Sequence, residues 1–273
     1  MNQQKVALIT GAAGGIGKEI VRRFGKEGFH LVLSDIDAER LEAIANDLYT
    51  AGIPEDKLLL LPGDLSDLNY AKSLTDQCRQ RWSRLDTLVN NAVWRTHDTL
   101  RTITEAHWEK TLRIGLTAPT FLAKWSAELM EEYKLPGTII NISSVQAGRA
   151  PGTSPAYMAC KGAMDSLTYE LASLYGPSGI RVVGVAPGNT LTPLSGDFVD
   201  ESGDNISEKL TKYMEDQTPL ARSAQPVEIA NVVYWLSTGE ASFVNGTVIE
   251  VDGGFRHGFG ANSLKNIQFP GQF

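Results

Sequence analysis

The sequence contains few of the residues that build disulfide frameworks or metal sites. Its 273 residues include only two cysteines, Cys78 and Cys160, and no metal-ligand spacing. Both are therefore expected to be free thiols in a reducing compartment. The four histidines are scattered along the chain at His30, His97, His107 and His257. The sequence predicts no metal site.

Clusters of basic residues and long apolar runs are also absent from the sequence. The formal net charge is −7, and no Lys/Arg run offers the basic surface that nucleic acid phosphates require, so nucleic acid is not an expected partner. The longest apolar runs have the length of strands, which argues against a membrane span, and no signal-peptide pattern is present. We therefore expect a cytoplasmic protein.

What the sequence does contain is a regular alternation of strand-like and helix-like segments. The apolar runs cover 5–10, 30–34, 57–63, 86–91, 137–143, 180–188 and 247–254. The helix-length segments between them are 15–28, 38–51, 67–83, 105–132, 155–175 and 226–238. This order predicts right-handed crossovers and a doubly wound parallel α/β sheet, the Rossmann fold. Since no linker or repeat divides it, we expect one domain over 1–254 and a tail at 255–273.

The longest segment without clear periodicity, 189–225, follows the sixth predicted strand. Sheets of this kind bind ligands at the carboxyl ends of their strands, so this segment is a candidate lid. Between Leu191 and Leu220 it holds seven acids and two lysines, a net charge of −5. A solvated loop would explain that charge equally well.

A glycine-rich turn connects the first predicted strand to the first helix. In TGAAGGIG, residues 10–17, glycines let the backbone turn tightly and approach a pyrophosphate at the helix N-terminus. Asp35 ends the second strand, where a carboxylate accepts hydrogen bonds from a ribose diol and repels a 2′-phosphate. Neither Gly14 nor Ile36 supplies a cation for such a phosphate. These residues predict NAD as the cofactor.

Tyr157 and Lys161 are four residues apart in YMACK, so their polar tips project from one face of the predicted helix. A phenol is a poor base at neutral pH, but a nearby ammonium and an oxidised nicotinamide both favour the phenolate. Taken alone, the pair also fits an exposed helix face, because Tyr-x-x-x-Lys occurs often by chance.

Over residues 3–254 the chain resembles the short-chain dehydrogenase/reductase family. The motifs fall in order: TGAAGGIG at 10–17, GDL at 63–65, NNA at 90–92, NISS at 141–144, YMACK at 157–161, PG at 187–188 and DGG at 252–254. The resemblance implies a single-domain enzyme, usually a homotetramer or homodimer. Such an enzyme moves a hydride between a nicotinamide and an alcohol or carbonyl carbon of a small molecule.

The resemblance also implies a set of site residues. Tyr157 would be the catalytic acid or base, Ser144 would orient the substrate, and Lys161 would favour the phenolate and hold the nicotinamide ribose. The implied cofactor-binding residues are Gly11, Gly15, Ile16 and Gly17 in the glycine-rich loop, Asp35 at the ribose, Asp64, Leu65 and Asn90 at the adenosine, Thr192 at the carboxamide, and again Tyr157 and Lys161.

Three positions depart from the family pattern. Val93 replaces a glycine after NNA, Thr190 stands where an aliphatic residue is usual, and Gly115 replaces the asparagine that normally anchors a water chain to the lysine. Because glycine is less favourable than alanine inside a helix by about 1 kcal/mol, Gly115 predicts a distorted or closely approached backbone. We expect a main-chain carbonyl to hold the relay water there, and asparagine to be tolerated at this position.

Three functions remain open from the sequence. The leading one is NAD-dependent dehydrogenation of a secondary alcohol, with a neutral sugar or polyol favoured because the acidic 189–225 segment disfavours anionic carriers. A 3-oxoacyl carrier reductase shares the motifs, and a nucleotide-binding regulatory module would follow if Gly115 disabled the proton relay. Trp94, Arg95 and Arg149 are candidates for the substrate pocket or for subunit contacts.

Overall fold

Seven parallel strands form a single sheet at the centre of the protein. The computed structural model describes residues 4–200, 202–258 and 260–272. The start of the predicted domain, at 1–3, and the end of the predicted tail, at 273, therefore lie outside the described residues. The strands are β1 (Val6–Thr10), β2 (His30–Asp35), β3 (Leu58–Pro62), β4 (Thr87–Asn90), β5 (Thr138–Ile142), β6 (Arg181–Pro187) and β7 (Val248–Val251). Their order is β3-β2-β1-β4-β5-β6-β7, and each pairing is parallel. The predicted doubly wound α/β fold is confirmed.

Helices cover both faces of this sheet. They are α1 (Gly15–Lys26), α2 (Ala38–Thr50), α3 (Leu68–Trp82), α4 (Glu105–Leu112), α5 (Ala118–Glu132), α6 (Pro155–Tyr175), α7 (Ser207–Gln217), α8 (Pro226–Leu236) and α9 (Asn262–Gln268). Side chains alternate between the faces of a strand, so Ala7 and Ile9 of β1 pack with α1, α2 and α8, whereas Val6 and Leu8 pack with α3, α5 and α6. Burial on both faces explains why the strands read as continuous apolar runs.

The strand order of the sheet reverses between β1 and β4, and a crevice forms at the carboxyl ends of these two strands. The chain passes from β1 outward to β2 and β3, and then places β4 on the other side of β1. Open α/β sheets bind ligands where the strand order reverses in this way. The loops that follow β1, β2, β4, β5 and β6 therefore converge on one region.

The predicted helix over 105–132 is interrupted in the structure. A π-helical turn, Arg113–Thr117, lies between α4 and α5, and Gly115 is at its centre. Its wide winding is closed by the N–H of Ala118, which donates to the carbonyl of Arg113. Gly115 thus lies in the distorted backbone that its presence predicted.

The 189–225 segment and the tail are more ordered than the sequence suggested. The segment contains α7, and the tail contains α9. The two helices are connected by hydrogen bonds, since Asn262 Nδ2 donates to the Thr218 carbonyl at 2.8 Å and the Ser263 N–H donates to Asp216 at 2.7 Å. Movement of the 189–225 segment as a lid stays a prediction.

None of the helices in the described ranges has the length and apolar character needed to cross a bilayer. The expected cytoplasmic location stays a prediction.

Candidate active site

A cleft of about 1130 Å³ opens at the carboxyl ends of the strands. All but one of the predicted site residues line it: Gly11, Gly15, Ile16, Gly17, Asp35, Asp64, Leu65, Ser144, Tyr157, Lys161 and Thr192. Residues that are up to 181 positions apart in sequence, from Gly11 to Thr192, thus share one site. We call the part lined by the glycine-rich loop, Asp35 and Asp64 the cofactor end of the cleft.

Three glycines of the glycine-rich loop are packed too closely for a side chain. Gly11 has a φ of +61°, a conformation that favours glycine, and a Cβ on Gly17 would overlap the carbonyl oxygen of Gly11. A Cβ on Gly15 would lie 2.7 Å from the side chain of Thr192. No described side chain caps the N-terminus of α1. This backbone cradle fits the pyrophosphate of a dinucleotide.

Asp35 lies beside this cradle and helps to shape it. Its carboxylate accepts hydrogen bonds from the Ala13 N–H at 2.8 Å and from the Asp37 N–H at 3.1 Å. Arg40 also lines the cleft here, and its Nε lies 3.1 Å from the Asp37 carboxylate. A ribose diol bound here could donate hydrogen bonds to the Asp35 carboxylate, and the neighbouring cation Arg40 is already paired with Asp37.

Asn90 lies outside the cleft, so its predicted contact with the adenosine does not fit the structure. Its side chain is buried within the sheet, where Nδ2 donates to Asn141 at 2.9 Å. Asn91 lines the cleft instead, and its Nδ2 donates to the Gly11 carbonyl at 2.9 Å. Neighbouring residues of a strand point to opposite faces, which the motif alone does not resolve.

Ser144, Tyr157 and Lys161 meet at the floor of the cleft. Lys161 is 3% exposed, and its Nζ donates to the Ile142 carbonyl at 2.6 Å and lies 5.6 Å from the centre of the Tyr157 ring. Ser144 follows β5 and accepts a hydrogen bond from the Gln146 N–H at 3.1 Å, which leaves its own hydrogen available to a ligand. The arrangement places a hydroxyl, a phenol and an ammonium in one site.

The π-helical turn packs directly against α6 beside this group. A Cβ on Gly115 would lie 2.6 Å from Sγ of Cys160, the residue that precedes Lys161. Cys160 is fully buried, and burial raises the pKa of its thiol. The expected tolerance of asparagine at Gly115 is therefore not supported, because the Cys160 sulfur would have to move.

Comparisons with known proteins agree with this geometry. A family model described as enoyl-(acyl carrier protein) reductase matches residues 11–256. The subunit BbsD of (2S)-[(R)-hydroxy(phenyl)methyl]succinyl-CoA dehydrogenase from Thauera aromatica is 32% identical over 92% of this chain and 96% of its own. Cis-4-hydroxycyclohexanecarboxylate dehydrogenase from Sinomonas cyclohexanicum is also 32% identical, over 92% of this chain and 96% of its own.

A solved structure from Brucella melitensis, a short-chain dehydrogenase/reductase of the glucose/ribitol dehydrogenase type, superposes with a TM-score of 0.83. It is 31% identical, and the match covers 92% of this chain and 96% of that one. The chain belongs to the short-chain dehydrogenase/reductase family. Members of this family are oxidoreductases that use nicotinamide dinucleotides, and the cofactor end described above fits such a molecule.

The other end of this short-chain dehydrogenase's cleft combines apolar, polar and cationic side chains. Trp94, Arg95 and Arg149 line it as the sequence allowed, together with Phe198 and Phe255, and we call this part the substrate end. Further apolar residues from α7 and its neighbours are Leu194, Val199, Ile206, Leu210 and Met214. Sequence reasoning missed the two phenylalanines, one of which lies in the predicted tail.

The acids of the 189–225 segment do not face this cleft. None of those in the described part of the chain lines it. They contact other groups instead: Asp216 accepts from Ser263, Glu215 accepts from Ser223 at 2.7 Å, and Glu208 pairs with Lys212 at 2.7 Å. Most of the described negative charge of the segment thus lies outside the lining of the cleft, but Asp197 lies 3.5 Å from the lining residue Arg95.

Proposed function

We propose that this short-chain dehydrogenase/reductase is an NAD-dependent dehydrogenase of secondary alcohols. The observation that carries the proposal is that Ser144, Tyr157 and Lys161 share one cleft with the glycine-rich loop and Asp35. A nicotinamide cofactor whose pyrophosphate rests on that loop would reach toward the three residues along the same cleft.

In the proposed reaction, Tyr157 takes the proton from the substrate hydroxyl as the carbinol carbon loses a hydride. Bound NAD supplies the acceptor for that hydride. Ser144 donates a hydrogen bond to the substrate oxygen and stabilises the charge that develops there. In the direction of carbonyl reduction, Tyr157 returns the proton.

Lys161 supports this reaction through its charge. Its buried ammonium donates a hydrogen bond to the Ile142 carbonyl and lies 5.6 Å from the centre of the Tyr157 ring. A cation at this place favours the phenolate form of Tyr157. The π-helical turn beside Cys160 is the route by which we expect a water to connect Lys161 with solvent, because a wide turn displaces a carbonyl from the regular hydrogen-bond ladder.

The preference for NAD rests on Asp35. A 2′-phosphate at that place would approach a carboxylate already fixed by two backbone N–H groups. Arg40, a described cation that lines this end of the cleft, is paired with Asp37. We expect this electrostatic cost to exclude NADP more strongly than any loss of contacts would.

The relatives' names support an alcohol substrate, because one is named for a hydroxy(phenyl)methyl group and the other for a ring alcohol, cis-4-hydroxycyclohexanecarboxylate. The apolar walls of the substrate end favour a substrate with an apolar body over a sugar or polyol. A 3-oxoacyl group on a carrier protein is disfavoured, because an acidic carrier would meet the acidic outer surface of the 189–225 segment.

The test is steady-state kinetics with NAD and with NADP on a panel of polyols, cyclic alcohols, hydroxy acids and 3-oxoacyl thioesters. We expect turnover of a secondary alcohol and a kcat/KM that is at least about tenfold higher with NAD. Equal or better use of NADP would overturn the cofactor assignment. Tight NAD binding without turnover of any panel member would favour the regulatory module.

A further inference from the structure

The acids that line the cleft lie at its cofactor end, where Arg40 is also found, whereas three cations line its substrate end. In the part of the chain that the structure describes, the only acids that line it are Asp35 and Asp64, both at the cofactor end. The substrate end is lined by the cations Arg95, Arg149 and Lys110. The whole chain carries a net charge of −7, so this positive concentration is opposite to the protein's overall charge.

Arg95 is largely buried, with a side chain that is 11% exposed. One of its nitrogens donates to the Leu194 carbonyl at 2.6 Å, and another lies 2.6 Å from Nε2 of His97. Its guanidinium carbon lies 5.2 Å from the centre of the Phe198 ring. These contacts fix the guanidinium in the wall of the cleft.

The negative partner of Arg95 in the described structure is loosely held. The Asp197 carboxylate lies 3.5 Å from Arg95, and the Asp197 side chain is 51% exposed. Burial lowers the pKa of the Arg95 guanidinium, which reports the cost of removing this cation from water. Arg95 and Tyr157 line the same cleft, so one bound molecule can contact both of them. An anion that bound closer to Arg95 than Asp197 does would offset more of the cost of burying the guanidinium.

The other two cations lie against aromatic rings. The Arg149 guanidinium is 3.9 Å from the centre of the Phe255 ring and donates to the Phe255 carbonyl. Lys110 Nζ lies 4.5 Å from the centre of the Trp94 ring. The substrate end therefore combines flat apolar walls with positive charge, a chemistry that suits an apolar body carrying an anionic group.

We propose that the substrate is a secondary alcohol whose apolar body carries a free carboxylate, and that Arg95 binds that carboxylate. The inference rests on the proposed dehydrogenase function. The planar guanidinium offers two parallel N–H donors to a carboxylate, and Asp197 moves into solvent when the substrate takes its place. A neutral polyol would leave Arg95 with its loose partner and would gain nothing from it.

The experiment compares hydroxy acids with their methyl esters, which keep the body and remove the charge. The pairs are 4-(1-hydroxyethyl)benzoate, 4-hydroxycyclohexanecarboxylate and 3-hydroxybutanoate, each with its ester, assayed with NAD. At least one acid is expected to exceed its ester in kcat/KM by about tenfold or more, mainly through KM. Esters that equal or exceed all three acids would overturn the proposal, as would 3-hydroxybutanoyl-CoA exceeding all three free acids.

Arg95→Gln should lower kcat/KM for the preferred acid at least about tenfold further than it lowers kcat/KM for the matching ester. Arg95→Lys should restore part of that difference, because it keeps the charge and loses the fork. Arg101→Gln removes a charge from an exposed position of the following turn and should leave the acid-to-ester ratio unchanged. Equal losses for acid and ester in Arg95→Gln would mean that Arg95 only braces the 189–225 segment, and the proposal would fail.

Calorimetry separates failure of this inference from failure of the dehydrogenase function. The ketone 4-acetylbenzoate is titrated into the NADH-loaded protein, with its methyl ester as the control. Tighter binding of the acid, lost in Arg95→Gln, supports the carboxylate site even if no alcohol is turned over. Absence of acid binding, or equal binding of acid and ester, overturns it.

Discussion

The two ends of the cleft are built from different parts of the protein. The cofactor end consists mainly of backbone at the ends of β1 and β2, where Gly11, Gly17 and Asp35 fix a narrow cradle. The substrate end consists of side chains from the loop after β4, from α4, from the segment after β5, from the 189–225 segment and from the tail. The first accepts a molecule of constant shape, whereas the second is formed by elements that the sheet does not constrain.

This difference assigns separate tasks to the two ends. Changes at the cofactor end should alter which dinucleotide is used, and changes at the substrate end should alter which alcohol is used. Ser144, Tyr157 and Lys161 lie where the two ends meet, so their changes should affect the reaction with every alcohol. The following variants test this division.

The largest effect is expected at the boundary. Tyr157→Phe removes the oxygen that moves the proton but little binding surface, so turnover should fall by about a thousandfold with every alcohol, while NAD affinity stays close to that of the wild type. Steady-state assays and calorimetry with NAD measure the two quantities. Tyr133→Phe, at the exposed carboxyl end of α5, is the control.

Turnover of Tyr157→Phe within about tenfold of the wild type would show that another group moves the proton.

A smaller effect, confined to the cofactor end, is expected from Asp35→Ala combined with Ile36→Arg. The pair removes the repulsive carboxylate and adds a phosphate partner at an exposed position, so the ratio of kcat/KM for NAD to that for NADP should fall at least about tenfold. The acid-to-ester ratio at the substrate end should not change.

Glu39→Ala removes an exposed acid from the first turn of α2, a few residues after Asp35, and is the matched control. A similar change of cofactor ratio in this variant would indicate general electrostatics and would remove the specific role of Asp35.

A still smaller effect concerns the packing beneath the boundary. Gly115→Asn forces a side chain onto Cys160, and overpacking of this kind costs about 1–3 kcal/mol of unfolding free energy. Denaturant unfolding should show this loss, and Cys160→Ala in the same chain should recover most of it. Equal losses with and without Cys160 would disprove the contact.

The smallest effect on chemistry is expected from subunit assembly. Phe121 on α5, and Tyr169 and Leu174 on α6, are apolar and exposed, which supports the proposed homodimer or homotetramer. Light scattering should give a multiple of the 29.7 kDa chain mass. A monomer mass at micromolar concentration would contradict this prediction.

The sequence placed the glycine-rich loop and Asp35 at one end of the cleft because the requirements of that end are local. Glycine spacing after a strand and an acid at the end of the next strand are dictated by backbone geometry, and Gly11, Gly17 and Asp35 lie where the motif put them. Asn90 lies within the sheet and Asn91 lines the cleft, a difference that the motif alone does not resolve.

The substrate end was hidden from sequence reasoning for a different reason. Phe198 and Phe255 are 57 residues apart, and only tertiary packing brings them to one cleft. The acids of the 189–225 segment were visible in the sequence, but their direction was not. Asp197 lies at the wall of the cleft and the other described acids of the segment lie outside its lining, so the net charge of the segment does not indicate the charge of the substrate.

Transfer of an isotope tests the central claim most directly. An alcohol that the enzyme oxidises is labelled with deuterium on its carbinol carbon and incubated with NAD in unlabelled water, and the NADH is examined by mass spectrometry. We predict that the deuterium is found on the nicotinamide of the NADH, and that Tyr157→Phe produces almost none of this product. NADH that forms without deuterium, or labelled NADH produced equally well by Tyr157→Phe, would contradict the account.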